Sequence, residues 1–180
     1  TISNEVEWIF LKQTGVTRKI DELGRIVIPK EIRRNLGIRD GEALEIFTSE
    51  DSIILKKYFE VRKYEDLSSK LCELIKNIYN VDLVITDREK VITSSNKEIV
   101  ENTKLNNKFL ELIDNREIFI SRELLTINFG IDVSGYFTVI PIIASSDSLG
   151  LVILISANGS DYTSLGKLLA KIIADKIDIF

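Results

Sequence analysis

The chain has 180 residues and a formal net charge of −4, with 44 % apolar and 29 % charged side chains, which fits one large or two small globular domains. It contains no histidine and a single cysteine, Cys72, so Ser-His-Asp triads, histidine bases, Cys-His zinc sites and disulfide frameworks are all excluded. No apolar run approaches the roughly 18 residues of a membrane span; the longest, 137–144 and 149–155, are strand-sized, so no membrane association is expected.

Enzymatic chemistry would fall to carboxylates, lysine or a bound metal. Pairs such as Asp87 and Glu89 sit in a turn with no basic or metal partner that the sequence can place. No catalytic residue, metal site or cofactor is therefore expected. A lone thiol fits a reducing, cytoplasmic setting. Cys72 lies among helical apolar positions and reads as a buried small hydrophobe, with a redox sensor as the competing reading.

The chain contains no methionine, and residues 1–10 have no clear period. Residues 1–14 are read as an extension or packing arm, or as read-through upstream of a start at Leu11. From Val16 to Arg39, seven bases face three acids, a local net of +4 on a chain whose remainder carries −8. Such asymmetry suits a nucleic-acid-binding module fused to an acidic domain, or else a solvated face laced with ion pairs.

Gly15–Ile20 is predicted as a strand, followed by a turn at Asp21–Arg25 in which Gly24 can take a positive φ. Ile26–Ile28 is β-branched throughout, and Pro29 is placed at the first position of a helix over Lys30–Leu36, closed by Gly37. Ile32 and Leu36 face one way on that helix; Lys30, Arg33 and Arg34 face the other. Strands Ala43–Phe47 and Ser52–Tyr58 flank the polar Thr48–Asp51. The unit 15–58 is small for its apolar content, and without disulfide or metal ligands it predicts an obligate dimer sharing one core.

The run from Thr14 to Ile38, with Gly24-Arg25, Ile28-Pro29 and Arg33-Arg34 at characteristic spacing, closely resembles the DNA-binding domain of AbrB-like transition-state regulators. The match continues through Asp40–Phe47 and Ile53–Tyr58. The resemblance implies a swapped-hairpin β-barrel homodimer that contacts double-stranded DNA through Arg18, Arg25, Arg33 and Arg34, with Lys19 beside them. Arginine suits the task, because its guanidinium stays charged and donates paired hydrogen bonds to phosphate or to guanine. Four phosphate contacts from each of two protomers would give a log K versus log salt slope of about −7 at most. The competing reading makes these arginines intradomain ion pairs, such as Arg18 with Asp21 or Arg34 with Glu31.

Residues 59–66 are charged and read as a linker that can run directly into a helix. Residues 67–180 then predict a helix to Asn80, a hairpin of Val81–Thr86 and Lys90–Thr93, and a helix in the second part of 97–114. Strands follow at 117–120, 123–129, 136–144 and 149–156, the last two joined by Ser145–Ser148, before a final helix from Asp161 or Tyr162. The order resembles a GAF-like α/β sandwich, so the whole chain is expected to be an α+β protein. Joined to an AbrB-like barrel, it is similar to the stage V sporulation protein T family. That resemblance implies a cytoplasmic, nucleoid-associated bacterial regulator of forespore genes, activator or repressor, assembled as a homotetramer.

It also leaves open a small-molecule ligand of the GAF-like half. Ser94, Ser95, Asn96, Asn128 and Asp132, near predicted strand ends, are either ligand groups or loop and cap residues. Two rival functions stand beside the regulator: an antitoxin of a toxin–antitoxin pair, and a ligand-binding GAF-like protein whose basic face docks partners.

Overall fold

The computed structural model describes residues 14–177. The readings for residues 1–10 and for a start at Leu11 lie outside the described residues. The chain divides into two compact units, Thr1–Glu42 and Ala43–Phe180.

In the first unit, the Asp21 carboxylate accepts the amides of Leu23 at 3.0 Å and Arg25 at 2.8 Å, while Gly24 supplies φ +76°. The expected turn therefore forms. The strands expected at 15–20 and 26–28 do not: neither segment belongs to a β-ladder among the described residues. Strand pairing needs a partner backbone, and the described residues of the unit supply none. Helix α1 spans Lys30–Asn35, with Pro29 at its N-cap (φ −57°, ψ 145°), one position earlier than expected. Its end is a Schellman closure, with Ile38 N donating to Arg33 O at 2.8 Å, Gly37 N to Arg34 O at 3.1 Å, and Gly37 at φ +63°.

The second unit opens with a hairpin, β1 (Leu44–Ser49) and β2 (Ser52–Lys57), in register from Leu44↔Lys57 to Ser49↔Ser52. A 3-10 helix (Glu60–Tyr64) runs straight into α2 (Glu65–Tyr79), and its Val61 is completely buried. The segment read as a linker is thus part of the packed unit. Asn80 ends α2 in the left-handed region, where its short amide side chain is tolerated.

Strands β3 (Asp82–Thr86), β4 (Val91–Ser94), β5 (Phe119–Ile120), β6 (Leu125–Asn128), β7 (Asp132–Ala144) and β8 (Asp147–Ser156) follow, with α3 (Asn107–Asn115) between β4 and β5 and α4 (Thr163–Ile177) last. They form an antiparallel sheet in the order β4-β3-β8-β7-β5, with β6 also pairing β7. The period of two sorts side chains onto its two faces. Leu83, Ile85, Ile140, Ile142, Val152 and Leu154 pack with Cys72, Ile75, Leu169 and Ile173 of α2 and α4. Val84, Phe137, Val139, Leu151 and Ile153 pack on the other face with Phe109, Leu112 and Ile113 of α3. The unit is a mixed α/β arrangement with helices on both faces.

The β7–β8 turn is tighter than expected. Ala144 pairs Asp147, so only Ser145 and Ser146 cross over, at φ +47° and +68°, the signs a two-residue hairpin turn requires. β8 accordingly starts two residues before its expected onset at Leu149.

Candidate nucleic-acid interface

Local folding places the five candidate DNA-contacting residues on three pieces of the first unit. Arg18 and Lys19 precede the Asp21 turn, Arg25 leaves it, and Arg33 and Arg34 lie on α1. Arg18, Lys19, Arg25 and Arg34 are exposed, and Arg33 is half-buried. Lys30 is exposed at the start of α1.

Neither ion pair suggested by the sequence forms. Asp21 pairs with Arg25, Nε to Oδ2 at 2.7 Å, and Arg33 pairs with Asp40 through Nη1. Arg18 instead donates to the carbonyl of Thr17 at 3.0 Å. Arg18, Lys19, Lys30 and Arg34 make no ion pair among the described residues. The Arg25 side chain remains 72 % exposed in its pair, so the contact is an open one. Exposed pairs of this kind contribute little, being screened by solvent, and yield readily to a polyanion. Backbone and side-chain hydrogen bonds from Arg25 hold the Asp21 carboxyl below its usual range of 3.8. Arg25 is thereby aimed by an ionised neighbour at any neutral pH.

Sequence spacing alone could not find these pairings. Asp21 meets Arg25 because the Gly24 turn reverses the chain, and Arg33 meets Asp40 because the Schellman closure folds the next segment back toward α1. Arg33 Nε has no hydrogen-bond partner within the described chain, although it is shielded from solvent.

Each unit carries exposed apolar side chains. Within the first unit Ile20, Leu23 and Val27 are 63 %, 76 % and 72 % exposed; within the second, Ile46 and Ile53 of the β1–β2 hairpin are 67 % and 68 % exposed. Apart from Val27, these belong to the apolar content of residues 15–58 from which a shared core is expected.

The polar residues considered as ligand groups in the second unit are occupied with local structure. Ser95 Oγ accepts the amide of Leu83 at 2.9 Å, Ser94 Oγ accepts that of Asn96 at 3.0 Å, and Asn96 donates to Asp82 at 3.1 Å. Asn128 donates to Asp132 at 2.8 Å and accepts the amide of Gly130 at 2.9 Å. Ser94, Asn128 and Asp132 are strand-end residues, and Ser95 and Asn96 lie in the loop after β4. Between α3 and the sheet, Phe109 and Phe129 stand 5.1 Å apart, and Phe129 and Phe137 6.4 Å apart, filling the interior. An open cleft of about 610 Å³ lies elsewhere, lined among others by Ile118, Ile120, Arg122, Tyr136 and Asp161.

Asp87 and Glu89, for which no partner could be placed, both have one. Asp87 pairs with Arg62 and Glu89 with Lys57, across 25 and 32 residues of sequence, a separation at which opposite charge gives no usable signal.

Comparison with known proteins divides the chain at residues 62–64, later than the boundary between the two compact units. Residues 17–62 match the family described as antidote-toxin recognition MazE, bacterial antitoxin. Residues 64–177 match the family described as stage V sporulation protein T C-terminal, transcription factor. The stage V sporulation protein T of Bacillus subtilis (strain 168) is 35 % identical over 152 residues, covering 81 % of this chain and 85 % of that protein. The transition state regulatory protein AbrB of the same organism is 60 % identical over 50 residues, 28 % of this chain and 52 % of that one. The solution structure of the N-domain of the transcription factor abrB is 61 % identical, covers 27 % of this chain and 94 % of its own, and superposes with a TM-score of 0.25. No helix among the described residues is long and apolar enough to cross a membrane.

Proposed function

Because the chain belongs to the stage V sporulation protein T family, we propose that it is a transcription regulator of sporulation genes that binds duplex DNA through Arg18, Lys19, Arg25, Arg33 and Arg34. The observation that carries this is the basic segment itself: guanidinium groups held on an ordered turn and on α1, exposed or only openly paired. It lies in a stretch 60 % identical to a transition state regulatory protein. Phosphate contacts orient the module, and arginine forks supply base recognition.

The unpaired segments 15–20 and 26–28 and the apolar side chains around them support a second copy as the missing ladder partner. Burying each such side chain contributes about 1.5–3 kcal/mol. The DNA-binding form is therefore a homodimer, the swapped-hairpin barrel of residues 15–58. A further contact between second units supports a homotetramer: α2 exposes Leu74 and Ile78, and α4 exposes Leu168. Linked binding surfaces raise affinity without new contacts. The GAF-like reading of the second unit rests on its antiparallel sheet with helices on both faces. The open cleft near Arg122 and Tyr136 is the place for a small-molecule effector, since the interior beside α3 is filled. A bacterial cytoplasmic, nucleoid-associated location follows from the DNA-binding role.

The antitoxin reading is favoured by the match of residues 17–62. It predicts a co-purifying toxin and a disordered tail, whereas residues 64–177 belong to a transcription-factor family and fold into a packed sheet. The test is selection from a pool of genomic fragments at several salt concentrations, with an Arg33→Ala, Arg34→Ala variant of matched oligomeric state. Selective, steeply salt-dependent binding lost in the variant is expected. Equal binding by both proteins would overturn the assignment of these arginines.

A further inference from the structure

The β3–β4 turn of the second unit carries an imbalance of charge that the ion-pair pattern exposes. Three bases around it are matched: Arg62 by Asp87, Lys57 by Glu89, and Arg88 by Asp114 at 3.6 Å. Lys90 and Lys104 are not. They occupy directly opposed positions of an isolated antiparallel bridge and make no ion pair among the described residues. Residues opposed in this way project side chains to the same side with Cβ atoms about 4.5–5.5 Å apart, and like charges there repel. Glu101, on the same loop, pairs with neither.

The bridge is rigidly built. Lys90 N donates to the Asp87 carboxylate at 2.7 Å, Leu105 N to Glu89 O at 2.8 Å, and Val91 N to Thr103 O at 2.9 Å. Two lysines are thus set opposite one another on a backbone frame, with no ion pair to either among the described residues. Lysine acts on a phosphate as a point charge and needs no particular approach angle. Through Glu89, the same turn touches Lys57, the last residue of β2. Within the second unit the pair therefore lies on the turn that holds the end of β2, and the β1–β2 hairpin is part of the proposed DNA-binding barrel.

We propose that Lys90 and Lys104 form a phosphate-contacting patch on the second unit that engages the DNA backbone directly. The inference rests on the DNA-binding reading above. It assigns to the second unit a direct, sequence-independent share of DNA affinity, in addition to assembly. Each lysine that neutralises a phosphate releases about 0.9 counterion, so the patch contributes about 2 to the salt slope for every protomer engaged.

The experiment measures binding of the full chain to a selected fragment and to an unrelated fragment of equal length between about 50 and 300 mM salt. The unaltered protein is compared with a Lys90→Gln, Lys104→Gln variant and with a charge-matched Lys70→Gln, Lys167→Gln control. The expected result is a shallower slope by about 2 per engaged protomer in the first variant alone, with affinity lowered equally for both fragments. A slope equal to that of the control overturns the proposal while leaving the DNA-binding reading intact. Failure of the unaltered protein to bind either fragment at any salt overturns both. The Arg33→Ala, Arg34→Ala variant separates the contributions: it is expected to lose preference for the selected fragment but keep the patch's part of the slope.

Discussion

Arg62 Nε lies 2.5 Å from Asp87 Oδ2, and Asp87 is completely buried. The other oxygen of that carboxylate accepts the amides of Glu89 and Lys90, each at 2.7 Å, and Arg62 reaches on to Asn102 at 3.0 Å. One buried charge thereby ties together the 3-10 helix, the β3–β4 turn and the loop before α3. A buried carboxylate without its partner is costly, because desolvation is no longer offset. Arg62→Ala is expected to destabilise the second unit by about 3 kcal/mol. Asp87→Asn, which keeps an oxygen for the turn amides, is expected to cost less. Urea unfolding followed by circular dichroism measures both, and an Arg62→Ala cost below that of Asp87→Asn would contradict this account.

Cys72 is 2 % exposed and its Sγ donates to the carbonyl of Leu83 at 3.4 Å. Burial pushes the thiol up to about 12, so almost no thiolate exists at neutral pH. The folded protein is expected to resist a disulfide reagent at about pH 8, with one equivalent reacting on unfolding in guanidinium. Rapid reaction of the native chain would favour the redox-sensor reading over that of a packed hydrophobe.

The second unit was largely legible because its signals are local. Alternating Val, Leu and Ile marked β3, β7 and β8, and the spacing of Leu71, Leu74, Ile75 and Ile78 marked α2. The Ser145-Ser146 turn was misjudged in length because serine carries no strong signal for a positive φ at both positions. In the first unit the arginines were legible from motif spacing, but their partners were not. Asp21–Arg25 and Arg33–Asp40 depend on how a glycine turn and a helix closure redirect the chain. Strands are expected at 15–20 and, from β-branched content, at 26–28, yet a ladder needs a second backbone, and the described residues do not provide it. Arg62–Asp87 was invisible because nothing in a 25-residue separation distinguishes a buried carboxylate from an exposed one.

Just before α4, Asp161 accepts the amide of Thr163 at 2.8 Å. The adjacent Thr163 hydroxyl and the Thr163 amide hold its carboxyl below the usual 3.8. A depressed carboxylate contributes stability above its unfolded-state value and loses it as pH falls through the folded-state value. Asp161→Ala is therefore expected to lower the melting temperature by a constant amount between about pH 5 and 8, the difference narrowing only below about pH 4. Thermal melts across that range check the sign; a gap that closes near neutrality would show that another group titrates.

Gly150 stands at the irregularity where β7 and β8 slip register between Ile142 and Ile143. A Cβ there would lie 2.0 Å from Thr86 O and 3.1 Å from Asp87 Cα, both backbone atoms that cannot turn aside. Leu151 N bonds Thr86 Oγ1 at 3.0 Å, which fixes the approach of β3 to β8. At Gly135 the corresponding Cβ would lie 2.5 Å from Ile155 Cγ2, a side-chain methyl that only a change of χ1 can move, and 3.2 Å from the backbone oxygen of Ser156, a tight but milder contact than the one at Gly150. The same substitution should thus have unequal costs. Gly150→Ala is expected to exceed about 3 kcal/mol, or to prevent folding, because β3 must separate from β8; Gly135→Ala is expected to cost about 1–3 kcal/mol through a displaced rotamer. Soluble yield and urea midpoints of the two variants check the order. A Gly150→Ala protein as stable as the unaltered chain would mean that β3 and β8 pack less closely at Thr86 than described.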